Sequence, residues 1–502
     1  MTETIANTPF GRLRGTCDDG VHIFKGIRYG TVQRRFQRAT APEPWTGVRD
    51  AVAYGPVCPQ LPSFMLPRER AQSEDCLVLN VWTPELTGSR QHQRPVMVWL
   101  HGGGFRIGSG ERLTRGMLSR RNDVVVVTLN HRIDVFGMLH LADLCGPEYA
   151  DSGNLTLLDL LQALQWVRDN IESFGGDPNN VTLFGESGGG RKVSTLLAMP
   201  TARPLFRRAI VQSGAQLEVA SRAGASRFAA RVLSSLGLTP DQLHVASELP
   251  AERLLEASRT ALSMSEADEG VLPVVDGQLV ERHPFHPDAP AISADVPLII
   301  GTNRDEMSFF LRAEDWSLDD AGVARRVTQL VGAEHAPEVL RTFRELYSDL
   351  MPARLLAKIQ TARGYFLEAC LQAERKAALA AAPTYVYQFD FASSLRGGRL
   401  GAHHALEVPF VFDELDAAAL VVGTITPAMR ELATLMSSTW VQFARTGEPG
   451  HVALPKWSPY EATDRATLLF DTAVRVEHDP RARERELMQR IGPAAPGYSP
   501  IV

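Results

Sequence analysis

Gly185-Glu186-Ser187-Gly188-Gly189 is where the chain's residue types and spacing point most directly to chemistry. A serine hydroxyl flanked in the pattern Gly-x-Ser-x-Gly can be a nucleophile when the pentapeptide lies between a strand and a helix, on a turn too tight for side chains beside it. The apolar run Val181–Phe184 predicts that strand, and Lys192–Met199 reads as the helix. Ser187 would then stand at the tip of a sheet, over a helix N-terminus that favours developing negative charge. In a chain with 40 glycines the bare pentapeptide is weak, so its context carries the reading. A rival reading takes Gly185 to Gly190 as a phosphate-binding loop. That loop needs Lys directly after the second Gly and then Ser or Thr, whereas Arg191 and Lys192 occupy those places.

A serine nucleophile needs a base, and the base needs an orienting acid. On this strand–turn–helix architecture the chain order is Ser, acid, His, each on a loop after a strand. The apolar stretch Val296–Gly301 predicts a strand followed by Thr302-Asn303-Arg304-Asp305-Glu306, and Thr384–Asp390 predicts one whose loop ends in His403-His404. From these residues alone, Asp305 and Glu306 compete as acid, and His403 and His404 as base. His283 and His286, each followed by proline, read as plain loop residues. Backbone donors for an oxyanion would come from His101-Gly102-Gly103-Gly104, after the apolar run Pro95–Leu100.

The elements that must hold these loops alternate. Leu77–Trp82, Pro95–Leu100, Asp123–Leu129, Val181–Phe184, Arg208–Gly214, Val296–Gly301, Thr384–Asp390 and Ala466–Asp471 read as strands, and Leu155–Ile171 and Pro427–Arg445 as long helices. Alternation of this kind predicts an α/β fold with a mostly parallel central sheet wrapped by helices. Residues 10–56 read as short strands and turns. Approximately 220–262 and 316–380 carry helical periodicity and read as insertions, so 1–502 is expected to form a single domain. A net charge of −6 and a pI near 6.1 argue against nucleic acid as a partner. No basic and apolar leader pattern and no long apolar span stands out, which predicts a soluble cytoplasmic protein. The five cysteines lack metal-ligand spacing, and no cofactor or metal is expected.

Phe174–Gly189 as a whole resembles the signature around the active serine of type-B carboxylesterases, the cholinesterase-like branch of the α/β-hydrolases. Glu74–Pro84 resembles that family's second signature, with Val78 as a departure. Further likeness runs from Phe24–Gly30 (Arg28 standing where proline is usual) and Pro44–Asp50 through Ser438–Pro449, nearly the whole chain. The resemblance implies a serine carboxylesterase: Ser187 as nucleophile, His404 as base because it precedes Glu407 by three residues, and Glu306 as acid, with Asp305 the fallback. It implies an oxyanion hole of Gly103, Gly104 and Gly188, and support from Ser213 and Glu407. Most relatives carry Ala after the nucleophile, so Gly188 departs from the pattern. Cholinesterases stack choline on a Trp in the loop between two cysteines. Here Pro62–Pro67 has none, which implies uncharged esters with short to medium acyl chains, with water as co-substrate. In relatives, cysteines at the places of Cys58 and Cys76 are commonly bridged, whereas a reducing cytoplasm would keep them as thiols. The other readings are a non-catalytic binding protein, or a lipase or amidase on the same residues. Activity is expected to fall below about pH 6 to 7 as His404 protonates.

Overall fold

The computed structural model describes residues 2–63, 70–86, 93–111, 116–266 and 268–494. The apolar runs become the centre of one large sheet. In chain order its strands are β1 (Thr2–Thr8), β2 (Gly11–Asp18), β3 (Val21–Arg28), β4 (Val48–Asp50), β5 (Val78–Thr83), β6 (Arg94–Leu100), β7 (Val125–Leu129), β8 (Gly176–Glu186), β9 (Arg208–Gln212), β10 (Leu298–Asn303), β11 (Thr384–Phe389), β12 (Ala466–Phe470) and β13 (Arg475–His478). In space they run β1-β2-β3-β5-β7-β6-β8-β9-β10-β11-β12-β13, with β4 beside β2. Every pairing from β7 to β12 is parallel, and antiparallel pairs close both ends. The Val98↔Leu183 and Leu183↔Ala209 partners lay one apolar row across the middle.

Strand β6 shows why these runs are apolar throughout. Val96, Val98 and Leu100 face one buried cluster, while Met97 and Trp99 face the other, as the two-residue repeat of a strand dictates. Helix Leu155–Asn170 covers the first face and Pro427–Thr446 the second. Each large side chain so enclosed contributes about 1.5–3 kcal/mol. The stretches expected as insertions hold helices Arg222–Ser235, Leu243–Glu248 and Ala251–Ser263, then Asp320–Leu346, Pro352–Thr361 and Leu367–Ala377. The later group shares a separate buried cluster that includes Val323, Val327, Phe343 and Leu356.

The structure adds β1, which pairs with β2 from Thr2↔Cys17 to Thr8↔Gly11. Its polar sequence buries only Thr4 and Ala6, too little to register as an apolar run. Because β6 and β8 to β11 run parallel, the loops after them emerge on one edge, the usual place for a site in such sheets. The loops beginning at His101, Ser187, Ser213, Arg304 and Asp390 all open there.

Candidate active site

Ser187 occupies the strand-to-helix turn with φ 56° and ψ −124°, a conformation that costs a non-glycine residue about 1–3 kcal/mol. The strain is held by Ser187 N donating to Gln212 O at 2.9 Å and Arg191 N donating to Ser187 O at 3.0 Å. A Cβ on Gly185 would stand 2.6 Å from the Gly189 carbonyl carbon, and one on Gly189 would overlap Leu100 O. The glycines are therefore obligatory. The helix behind Ser187 spans Gly188–Leu196 and starts four residues before the expected Lys192. Its first turn is glycine, which propensity discounts and backbone packing demands.

Glu306 and His404 meet. His404 Nδ1 lies 2.6 Å from Glu306 Oε2, and Glu306 Oε1 accepts from Ser213 Oγ at 2.5 Å and from Asn303 N at 2.7 Å. The imidazole is gripped between Phe310 and Tyr365, each with its ring centroid 5.0 Å away. His403 turns aside to stack on Phe309, its Nδ1 at 2.9 Å from His404 O. Asp305 N donates to Ala402 O at 2.9 Å, and its carboxylate accepts from Ala402 N at 3.1 Å and pairs with Lys358 at 2.9 Å. Burial would raise its pKa, but Lys358, Arg304 and Arg354 outweigh that and hold it below the usual carboxylate range. Asp305 thus stitches the acid loop to the histidine loop. Glu407 accepts from Gln212 Nε2 at 3.1 Å and from Asn303 Nδ2 at 2.7 Å. Burial and the nearby Glu306 push its carboxyl up to about 7. Glu407 therefore reaches Glu306 through Asn303.

Sequence reasoning passed over Glu186. Its buried carboxylate places Oε1 3.0 Å from His404 Nε2. No hydrogen bond joins Ser187 Oγ to His404 among the described residues, so the nitrogen expected to face the hydroxyl faces the neighbouring carboxylate. A carboxylate facing the ring at this distance favours its protonated form. Burial lowers the His404 pKa, yet Glu186 and then Glu306 raise it to about 9 overall. With that pKa the fall in activity is expected at higher pH than an unperturbed imidazole would give. The neutral base gains population as pH rises, so kcat/KM is expected to climb through about pH 9. Glu186→Gln removes the first of the three carboxylates, Glu186, Glu306 and Glu407, that raise the His404 pKa, and is expected to move that climb to lower pH, read from a pH profile of kcat/KM. An unmoved profile would contradict the role given to Glu186. The signal was present in sequence: an acid in the second place of Gly-x-Ser-x-Gly stands beside the nucleophile whatever the rest of the fold does.

Gly103 and Gly104 adopt φ 95° and 59°, and Phe105 follows at 64°. The loop is pinned by Arg106 N and Ile107 N donating to Gly103 O and by Asp134 N donating to Phe105 O. Across from it, a Cβ on Gly188 would stand 2.8 Å from Gly104 N and 3.1 Å from Phe105 N. A side chain at 188 would therefore crowd the backbone of that loop. A mostly apolar cleft beside these residues is lined by Trp99, Gly102, Ser109, Glu186, Ala405 and Val408. Cys58 and Cys76 are buried, and both are free thiols. The part of the loop read for a choline-stacking Trp that spans 64–67 lies outside the described residues. No described helix is long and apolar enough to cross a membrane.

The sequence profile of the Carboxylesterase family matches residues 2–488. Among curated relatives, the para-nitrobenzyl esterase of Bacillus subtilis (strain 168) is 37% identical over 502 residues, covering 97% of this chain and 98% of its own. The phenmedipham hydrolase of Pseudarthrobacter oxydans is 33% identical over 505 residues, covering 95% and 97%. The crystal structure of a Geobacillus stearothermophilus carboxylesterase superposes with a TM-score of 0.85 at 38% identity, covering 97% of this chain and 100% of that one.

Proposed function

The chain belongs to the carboxylesterase family and is a serine carboxylic ester hydrolase of the α/β-hydrolase fold; on that premise we propose that Ser187 is its nucleophile, His404 its base and Glu306 the acid that orients the base. The contact that carries this reading is His404 Nδ1 to Glu306 Oε2 at 2.6 Å, with Glu306 held from behind by Ser213 and Asn303. For attack, the neutral form of His404, its Nε2 proton already lost to solvent, turns Nε2 from Glu186 to the adjacent Ser187 hydroxyl and takes its proton as Oγ bonds to the ester carbonyl carbon. The amides of Gly103, Gly104 and Gly188 stabilise the tetrahedral oxyanion. His404 returns the proton to the departing alcohol, leaving an acyl group on Ser187. Water, deprotonated by the same nitrogen, then releases the acid.

The substrates are uncharged esters with short to medium acyl chains, hydrolysed in the cytoplasm. The mostly apolar cleft that reaches Gly102 and Glu186, each next to a site residue in the chain, is compatible with an uncharged ligand. A panel of 4-nitrophenyl esters graded in acyl length, set beside choline esters and triolein emulsions, tests the assignment. The highest kcat/KM is expected for acetyl to hexanoyl esters. Preference for choline esters or for the emulsion would overturn the substrate class while leaving the chemistry in place.

A further inference from the structure

Of the 52 lysine and arginine residues only five are lysines, and three of these, Lys192, Lys358 and Lys376, are buried. Lys358 pairs with Asp305, and Lys376 donates to Ala294 O with Asp295 nearby. Lys192 differs. It is 0% exposed, its Nζ donates to His101 O at 2.9 Å, and no carboxylate lies within ion-pair distance of it among the described residues. Burial alone pulls its pKa down to about 7. The Phe105 ring stands 5.4 Å from Nζ, and His101 and His131 stack beside it at 4.5 Å. Burial and the neighbouring Lys192 hold both histidines well below their ordinary range, His101 at about 3, so neither adds charge.

The donors assigned to the oxyanion come from two separate elements. Gly103 and Gly104 lie on the loop after β6, and Gly188 on the helix after Ser187. That loop has positive φ at four places, Gly103, Gly104, Phe105 and Gly108. Its backbone is tied down at Gly103 and Phe105 from nearby chain and at Gly108 by Gln60. The His101 carbonyl is tied by Lys192, which is carried on the nucleophile's own helix. We propose that Lys192 is a positioning residue that clamps the glycine loop to the elbow helix, setting the two sources of oxyanion donors at their working separation. A lysine buried without a counter-ion is costly, and the hydrogen bond of Lys192 Nζ goes to the carbonyl that opens the glycine loop. Oxyanion donors act only when aimed within a few tenths of an ångström of the developing charge. In the sequence Lys192 reads as the start of a helix and as a misfit to a phosphate-binding loop. Its place in the fold gives it this other task.

The inference rests on the assignment of Ser187 and its oxyanion hole. The test is steady-state kinetics of Lys192→Met, which keeps the side chain's length and removes its donor, beside inhibition by a trifluoromethyl ketone that forms a tetrahedral adduct. The expected result is a fall in kcat of about 10- to 100-fold, KM within about twofold, and a matching loss of ketone affinity. Parental kcat with parental ketone affinity would overturn the clamp, as would a rise in KM with kcat unchanged. Should Lys192→Met fail to fold, Lys192→Gln, whose shorter arm withdraws from His101 O, is read the same way. Covalent labelling of the parent enzyme by a fluorophosphonate separates the two failures: an unlabelled Ser187 refutes the nucleophile assignment, whereas a labelled parent with a kinetically silent Lys192→Met refutes the clamp alone.

Discussion

Ser187→Ala is expected to lower kcat/KM by about 10⁴- to 10⁶-fold, leaving only what the oxyanion donors and substrate binding supply. The change tests chemistry and not folding. Alanine at 187 carries the same positive φ that serine already bears, and its methyl occupies the place of the serine Cβ beside Gly102. Thermal unfolding of the variant should match the parent within a few degrees, so a kinetic loss cannot be charged to an unfolded fraction. Initial rates on a 4-nitrophenyl ester, with active enzyme counted by titration, decide the matter. Retention of even one hundredth of parental turnover would exclude Ser187 as the nucleophile.

Glu306→Gln is expected to cost about 10⁴-fold in kcat/KM, although only one oxygen becomes a nitrogen. The reason lies behind the carboxylate. Ser213 Oγ and Asn303 N both donate to Oε1, so a glutamine must turn its carbonyl oxygen toward them. Its amino group then faces His404 Nδ1 at the 2.6 Å contact and donates there. A neutral imidazole that accepts at Nδ1 carries its proton on Nε2, the nitrogen that must take the serine proton. The enzyme is thereby locked in the wrong tautomer. Losing Glu306 also removes one of the three carboxylates, with Glu186 and Glu407, that raise the His404 pKa. A loss smaller than about tenfold would mean that Glu306 does not orient the base.

The parts of this site legible in the sequence are those fixed by backbone sterics. At Gly185 and Gly189 no side chain fits, so the strained turn leaves a glycine pattern around Ser187 that becomes specific in its strand-and-helix context. The strands that carry the loops were legible because sheet positions covered on both faces admit only apolar residues, as at Val96–Leu100. What escaped were relations between distant loops. Nothing in Phe310 or Tyr365 says that their rings will grip one imidazole, since one follows β10 and the other lies in a π-helical turn at Ala362–Phe366 within an inserted block. Asp305 was read as the fallback acid. Its stitch to Ala402 and its pairing with Lys358 become visible only once two loops and an inserted helix converge. Glu186 was placed beside Ser187 by its position in the pentapeptide, but its burial and that of Lys192 were not legible, because a lone charge next to a motif is ordinarily a solvated one. The polar hairpin strand Thr2–Thr8 escaped for the opposite reason, since its pairing rests on backbone hydrogen bonds more than on buried side chains.

The central claim is that the hydroxyl at 187 is unmasked by the imidazole at 404. Incubation with a fluorophosphonate, followed by peptide mapping by mass spectrometry, tests it most directly. One adduct per chain, on Ser187, formed rapidly by the parent and slowed by orders of magnitude in His404→Gln, is the predicted result. An adduct on any other residue, or undiminished labelling of Ser187 in His404→Gln, would contradict it.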